Sequence, residues 1–319
     1  MEANRAGLAQ GLFLTSGVPG RPARAVDRML AAIEILRVRE RFTGYVHVKL
    51  LPGVRPDQVE QAARIANRIS INLEAPGDPE VRALARDKDF TGDLLPKLEL
   101  AGRLQRDAGL AGPPGAPRPA GTTTQFVVGG ADERDRDILG LVSRLEGERL
   151  LHHAHFSAFQ PVAATPMEGH RPTPYVREFR LYQAEHLLRR YGFRFHELVF
   201  APDGNLPLEQ DPKTVWAVAH PEYFPVELMR APYELLLRVP GVGPASARTI
   251  VAERRRAVWG GLDGIRRTGV DIARAGYFLA LRGRRVVPVL PAEQLRLFRH
   301  EEWFHDAPWK TAVPPCAFR

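Results

Sequence analysis

A chain of 319 residues, 44% hydrophobic and 26% charged, has the composition of globular protein and the length for two domains, each with its own core. A net charge of +8 and a pI near 10.0 favour an anionic partner, although an arginine-led surplus is also what a GC-rich genome produces. The single cysteine, Cys316, excludes an internal disulfide framework and a multi-cysteine metal site, and no stretch nears the ~20 apolar residues of a membrane span. The opening MEANRAGLAQG lacks the apolar core of a secretory signal, so the expected location is cytoplasmic.

Up to about residue 160, short apolar runs alternate with amphipathic segments. The runs are Gly11 to Thr15, Tyr45 to Leu50, Ile69 to Leu73, Gln125 to Val128 and Leu151 to Phe159. Between them, Arg24 to Arg39 carries Val26, Met29, Leu30, Ile33 and Leu36 at helical spacing, and Pro56 to Asn67, Asp93 to Ala108 and Asp132 to Leu145 follow the same logic. Strand alternating with helix predicts parallel strands with right-handed crossovers, in an open sheet or part of a barrel. About five strands are too few for a closed eight-stranded barrel. The Pro/Gly stretch Ala111 to Gly121 is read as a lid or an insertion.

After His155 to Val162 a Pro-rich loop leaves this layer. Arg177 to Tyr191 predicts an amphipathic helix with Leu181, Ala184, Leu188 and Tyr191 as its stripe. Asp211-Pro212-Lys213 opens another helix through Val215 and Trp216, and the second half is expected to be nearly all helical. Ala231 to Arg254, APYELLLRVPGVGPASARTIVAER, reads as helix, hairpin, helix. The glycines of Pro240-Gly241-Val242-Gly243-Pro244 permit positive φ and close approach of another molecule. A Gly-rich turn opening a helix aims unpaired N–H groups outward at the positive end of the helix dipole, which is a phosphate site. The expected donors are the amides of Gly241, Val242, Gly243 and Ala245, with charge from Arg248, Arg254 and Arg255. The plainer alternative is an ordinary turn between packed helices. Gly261 to Leu281 reads as a second, degenerate helical pair, with Asp263 as a helix N-cap. The tail from Pro291 holds Trp303, Phe304 and Trp309.

RVPGVGPASARTIVAERR resembles the helix-hairpin-helix motif of DNA-repair and DNA-uptake proteins, and the ordered segments FLTSGV, GYVHVKLLPG, SINLEAPG, KDF, TTQFVVGG, FSAFQPVAATPMEG, FRLYQAEHLLRRYGF and DPKTVWAVAHPEYFPVELMRAPYELLLRVPGVG resemble the DNA modification/repair radical SAM protein family. That resemblance implies an α/β plus all-α protein: a truncated parallel (β/α) partial TIM-type barrel over 1–168, a helical domain over 169–290 with a helix-hairpin-helix at 231–254, and an aromatic tail over 291–319. It implies DNA, duplex or damaged, as partner, together with a uracil-DNA-glycosylase-like protein or a cluster-carrying chain. It also implies [4Fe–4S] and S-adenosylmethionine as cofactors. The family's CxxxCxxC cluster loop is missing here, and the chain is read as starting just before the family's second strand. The cofactors are therefore not supported by this chain alone. Enzymatic activity would require a cluster-binding segment upstream of Met1 or on a partner chain. By position, Ser16, Gly17, Asn72, Glu74 and Gln125 fall where the family contacts S-adenosylmethionine. A helical protein-interaction module is the remaining alternative.

Other constellations have plainer explanations. His153 and His155 share a strand face and could bind zinc with His47, His170 or Glu74, but polar alternation on a half-buried strand explains them as well. Trp216, Tyr223 and Phe224 could stack bases, but sit in apolar patterns that suit a core.

Overall fold

The computed structural model describes residues 2–17, 20–111, 118–254 and 261–288. The chain falls into two compact units, Met1–Glu178 and Phe179–Arg319.

The first unit contains α1 (Glu2–Arg5), β1 (Gly11–Leu14), α2 (Pro22–Val38), β2 (Tyr45–Lys49), α3 (Pro56–Ile65), β3 (Arg68–Ser70), α4 (Asp78–Leu84), α5 (Leu95–Ala111), β4 (Thr122–Val128), α6 (Asp135–Gly147) and β5 (His153–Ala158). All five strands are parallel and lie in the order β1-β2-β3-β4-β5. A monotonic order with right-handed crossovers places the connecting helices on one face of the sheet. Burial agrees. Val46, Val48, Ile69, Phe126, Val128, Ala154 and Phe156 are buried, as are Val26, Leu30 and Ile33 of α2, Val59 and Ala62 of α3, Leu98 of α5, and Ile138, Leu139, Val142 and Leu145 of α6. Prolines at or near the first helical position start α2 and α3, where the missing N–H has no partner to lose.

The opposite face follows from the period of two. It carries Phe13, His47, Lys49, Arg68, Ser70, Gln125, His153, His155 and Ser157, with Phe13 registered on His47, His47 on Arg68, and Gln125 on His155. Apart from Phe13 and Val127 it is largely polar, where the helix-covered face is apolar.

The second unit starts within α7 (Tyr175–Tyr191). It continues through α8 (Pro212–Ala219), β6 (Val226–Glu227), α9 (Tyr233–Leu236), α10 (Pro244–Glu253), α11 (Leu262–Arg267), α12 (Ile272–Ala275), β7 (Leu279–Leu281) and β8 (Arg284–Arg285). Three expectations need correction. The second half is not nearly all helical, because β6, β7 and β8 form a three-stranded sheet. Its strands are two or three residues long, too short for a period to separate strand from helix. Asp263 does not cap a helix: Gly261, at φ 74°, precedes α11, and Asp263 instead pairs with Arg266 at 3.2 Å. On α7 the buried stripe is Leu181, Ala184, Glu185 and Leu187 rather than one running through Leu188.

Trp216 is buried, its ring stacked on His220 at 4.4 Å and meeting Phe193 at 5.6 Å, Tyr223 at 5.4 Å and Phe224 at 6.3 Å. Trp216, Phe193 and His220 are core, while Tyr223 and Phe224 are half-buried at its edge. Arg238 closes the cluster: its guanidinium lies 3.9 Å from the Phe193 ring centre and donates to Glu197 at 2.8 Å and to the carbonyls of Tyr191 and Gly192 at 3.1 Å. Among the described residues no helix is long and apolar enough to cross a membrane.

Candidate nucleic-acid interface

Pro232 precedes α9, and Leu236, Leu237 and Val239 carry the chain into the core. The turn is then closed by main-chain bonds. Val242 N–H donates to the Val239 carbonyl at 3.1 Å, and the Gly241 carbonyl accepts from Asp271 N–H at 3.1 Å. Gly241 has φ 77°, the left-handed region that favours glycine, and a Cβ there would lie 2.7 Å from the Asp271 carbonyl oxygen. The Val242 side chain is buried, and its carbonyl accepts from Lys213 Nζ at 2.6 Å.

Gly243 is different. Its φ of −92° and ψ of 170° are extended backbone that any residue adopts, and a Cβ would meet only the Tyr191 hydroxyl, at 3.6 Å. Nothing inside the described protein requires a glycine there. Gly243 caps α10, whose first residue, Pro244, has no N–H. Among the described residues none accepts from the N–H groups of Gly243 or Ala245, at the positive end of the α10 dipole.

The expected donor set changes accordingly. Gly243 and Ala245 present outward amides, and that of Gly241 also lacks an acceptor among the described residues. The Val242 amide is withdrawn, because it closes the turn. Arg248 is exposed one turn into α10. Arg254 points back: its guanidinium donates to the carbonyls of Ala231, at 2.5 Å, and Leu228, at 3.5 Å, so it staples α10 to the start of the motif. Arg255 lies outside the described residues.

Beside the turn is a cleft of about 330 Å³ lined by His186, Tyr191, Asp211, Lys213, Gly243 and Arg274, among others. Lys213 sits in the first turn of α8, which Asp211 caps through Thr214 N–H at 3.1 Å. The Asp211 carboxylate also pairs with Arg274. Lys213 Nζ lies 4.5 Å from the Tyr191 ring centre, and burial pushes the tyrosine hydroxyl's pKa up. No local sequence pattern marks this cleft, because its walls come from residues 183 to 274 and Lys213 reads only as part of a helix start.

In the first unit the structure brings Asn72, Glu74 and Gln125 together just past β3. Asn72 Nδ2 donates to Gln125 Oε1 at 3.3 Å, and Glu74 N–H donates to the Gln125 carbonyl at 2.9 Å. Glu74 holds φ 67° and pairs with Lys88 at 2.8 Å. Ser16 and Gly17 lie exposed past β1, and a Cβ on Gly17 would meet nothing. Gln125 lies within β4. His153 and His155 meet edge-on, 4.7 Å between ring centres, and His47 Nε2 lies 3.0 Å from Ser70 Oγ. Among the described residues no three His, Cys, Asp or Glu side chains form a metal-holding group. Burial first, then the charges of Arg68, His155 and Lys49, push the His47 pKa down to about 4.

Compared with known proteins, the chain matches no family model, no curated protein and no solved structure.

Proposed function

We propose that this chain is a DNA-binding protein of repair or modification that grips backbone phosphate through a helix-hairpin-helix at 231–254 and also carries a partial (β/α) barrel of the radical SAM type. The observation that carries this is Gly243. Its geometry and its open surroundings make no internal demand for glycine, whereas a phosphate oxygen seated on the Gly243 and Ala245 amides needs bare backbone. Arg248 stands exposed to add charge. Contacts of this kind position DNA without reading its sequence. The test is fluorescence anisotropy on unrelated duplexes between about 50 and 200 mM salt. Arg248→Glu is expected to weaken binding to all of them about 10-fold and to lower the salt slope by about 1. Unchanged affinity would place the interface elsewhere.

A second reading has its own support. The polar sheet face and the Asn72, Gln125 and Glu74 group suit a ligand rich in hydrogen-bonding groups, such as S-adenosylmethionine. A [4Fe–4S] cluster does not fit this chain's residues, since it takes several thiolates and Cys316 is alone. Calorimetric titration with S-adenosylmethionine, on the parent and Asn72→Ala, tests binding without presuming chemistry. Equal heats in both proteins would remove this reading.

A further inference from the structure

Lys213 is a costly residue to keep where it stands. It is 7% exposed, on a helix whose residues from Pro212 to Val218 are all buried. Among the described residues no carboxylate lies within 4.0 Å of its ammonium. The nearby carboxylate, Asp211, is taken up by Thr214 and Arg274. A buried ammonium without a counter-charge carries a large desolvation penalty. Burial accordingly pushes its pKa well below the ordinary lysine range; Asp211 opposes this, while Arg274 and Arg238 add to it. A neutral lysine amine is a nucleophile. The choice of residue also stands out. Of 45 basic residues only five are lysines, and an arginine could hold the Val242 carbonyl but could not lose its proton. Lys213 lines the cleft, and its amine touches the carbonyl of the residue between the two hairpin glycines, where the sugar-phosphate chain would ride.

We propose that Lys213 forms a Schiff base with the ring-opened deoxyribose of an abasic site in DNA held on the hairpin, making this unit an abasic-site lyase. The inference rests on the DNA-binding reading above. The Nζ lone pair adds to the C1′ aldehyde carbon, and the aldehyde oxygen leaves as water, giving an iminium. A base removes a C2′ proton. The electron pair forms the C2′–C3′ double bond as the C3′–O bond breaks, and the phosphate leaves with the bonding pair. Water then hydrolyses the imine and returns the amine. No oxidant or reductant enters. His186 lines the same cleft and is the base assigned to the C2′ proton; partial burial and Arg189 lower its pKa, with Glu185 opposing, which favours the proton-accepting form.

The test uses the full chain and an end-labelled duplex with one abasic site made by removing uracil, incubated with sodium cyanoborohydride to trap an imine as a stable amine. A one-to-one covalent adduct is expected on a denaturing gel, with peptide mapping placing the DNA on Lys213. Lys213→Gln and Lys213→Met are expected to lower trapping at least about 100-fold. An adduct mapped to any other amine, or undiminished trapping in a folded variant, overturns the proposal. If neither variant folds, the map on the parent protein decides alone. A duplex carrying a tetrahydrofuran abasic analogue, which has no aldehyde, separates the two readings by anisotropy. Binding to it, together with no adduct on the aldehyde-bearing abasic duplex, sinks the lyase and leaves DNA binding standing; no binding to any duplex sinks both.

Discussion

The two hairpin glycines should respond to alanine in opposite ways. At Gly241 the left-handed φ of 77° costs a residue with a Cβ about 1–2 kcal/mol. The new atom would also sit 2.7 Å from the Asp271 carbonyl oxygen, 3.1 Å from Arg274 Cβ and 3.2 Å from the Ala275 nitrogen. Two of those three atoms are main chain beside α12 and cannot swing aside, so overpacking adds about 1–3 kcal/mol. Gly241→Ala should therefore destabilise the second unit by roughly 2–5 kcal/mol. Gly243→Ala meets only a hydroxyl at 3.6 Å and has an unstrained backbone. Stability should stay level or rise by up to about 1 kcal/mol, through a less flexible unfolded chain. Its Cβ would nonetheless stand between the Gly243 and Ala245 amides and an approaching phosphate, so duplex affinity should fall about 10-fold, the worth of one charge-assisted hydrogen bond. Urea unfolding by circular dichroism and anisotropy titration on the same preparations check both quantities. If Gly243→Ala unfolds as early as Gly241→Ala, or binds duplex as well as the parent, the glycine at 243 is not there for a ligand.

Other perturbations separate structural from interfacial roles. Arg254→Ala frees two carbonyls and should lower stability by about 1–2 kcal/mol while leaving duplex affinity within about threefold, the reverse of Arg248→Glu; a large affinity loss without destabilisation would return Arg254 to the interface. Arg177→Met removes the arginine that pairs with Asp135, at 2.8 Å, and with Glu133, at 3.5 Å, whose side chains are both fully buried. It should cost the first unit about 3–5 kcal/mol in urea unfolding, and a loss below about 1 kcal/mol would show those carboxylates are satisfied by other groups. His47 titrates near 4 when folded against 6.5 when unfolded, so its contribution to stability is full above pH 6.5 and lost as pH falls toward 4. Discounted for a half-exposed ring, that is about 1–2 kcal/mol. His47→Gln should flatten the urea midpoint against pH in that window, and an unaltered slope would refute the assignment.

The parallel layer was legible because its strands bury one face so fully. Val46 and Val48, Phe126 and Val128, and Ala154 and Phe156 keep the period of two that a sheet imposes. The boundary at β3 was not: the apolar run reaches Leu73, whereas the ladder ends at Ser70 and the chain turns toward the left-handed Glu74. On α10, Arg248 and Arg254 look alike in the sequence. Six residues at about 100° each turn Arg254 some 240° round the helix from Arg248, which carries it to the Ala231 carbonyl. The Lys213 cleft was invisible for another reason. Its walls are brought together from α7, α8, the hairpin and α12, and no local pattern announces such a meeting.

A turn that offers amides to a ligand works only if it does not collapse onto them, and the main-chain hydrogen bonds around the hairpin explain why it holds open. A main-chain donor or acceptor left to itself will find a partner nearby. Here the acceptors are already engaged. The Val239 carbonyl takes Val242 N–H, the Gly241 carbonyl takes Asp271 N–H, the Val242 carbonyl takes Lys213, and the Gly243 carbonyl takes Ala247 N–H at 2.8 Å. The outward donors of Gly243 and Ala245 are thus left facing the helix's positive end with nothing at hand to satisfy them. Lys213 holds one of these four clasps, and the iminium formed on that amine keeps a single N–H with which to hold the Val242 carbonyl. Chemistry at Lys213 and grip at Gly243 are therefore coupled. Lys213→Gln, whose amide can still donate to the Val242 carbonyl, should retain duplex binding better than Lys213→Met, which cannot. Equal binding by the two variants would mean that the turn stands open without its lysine.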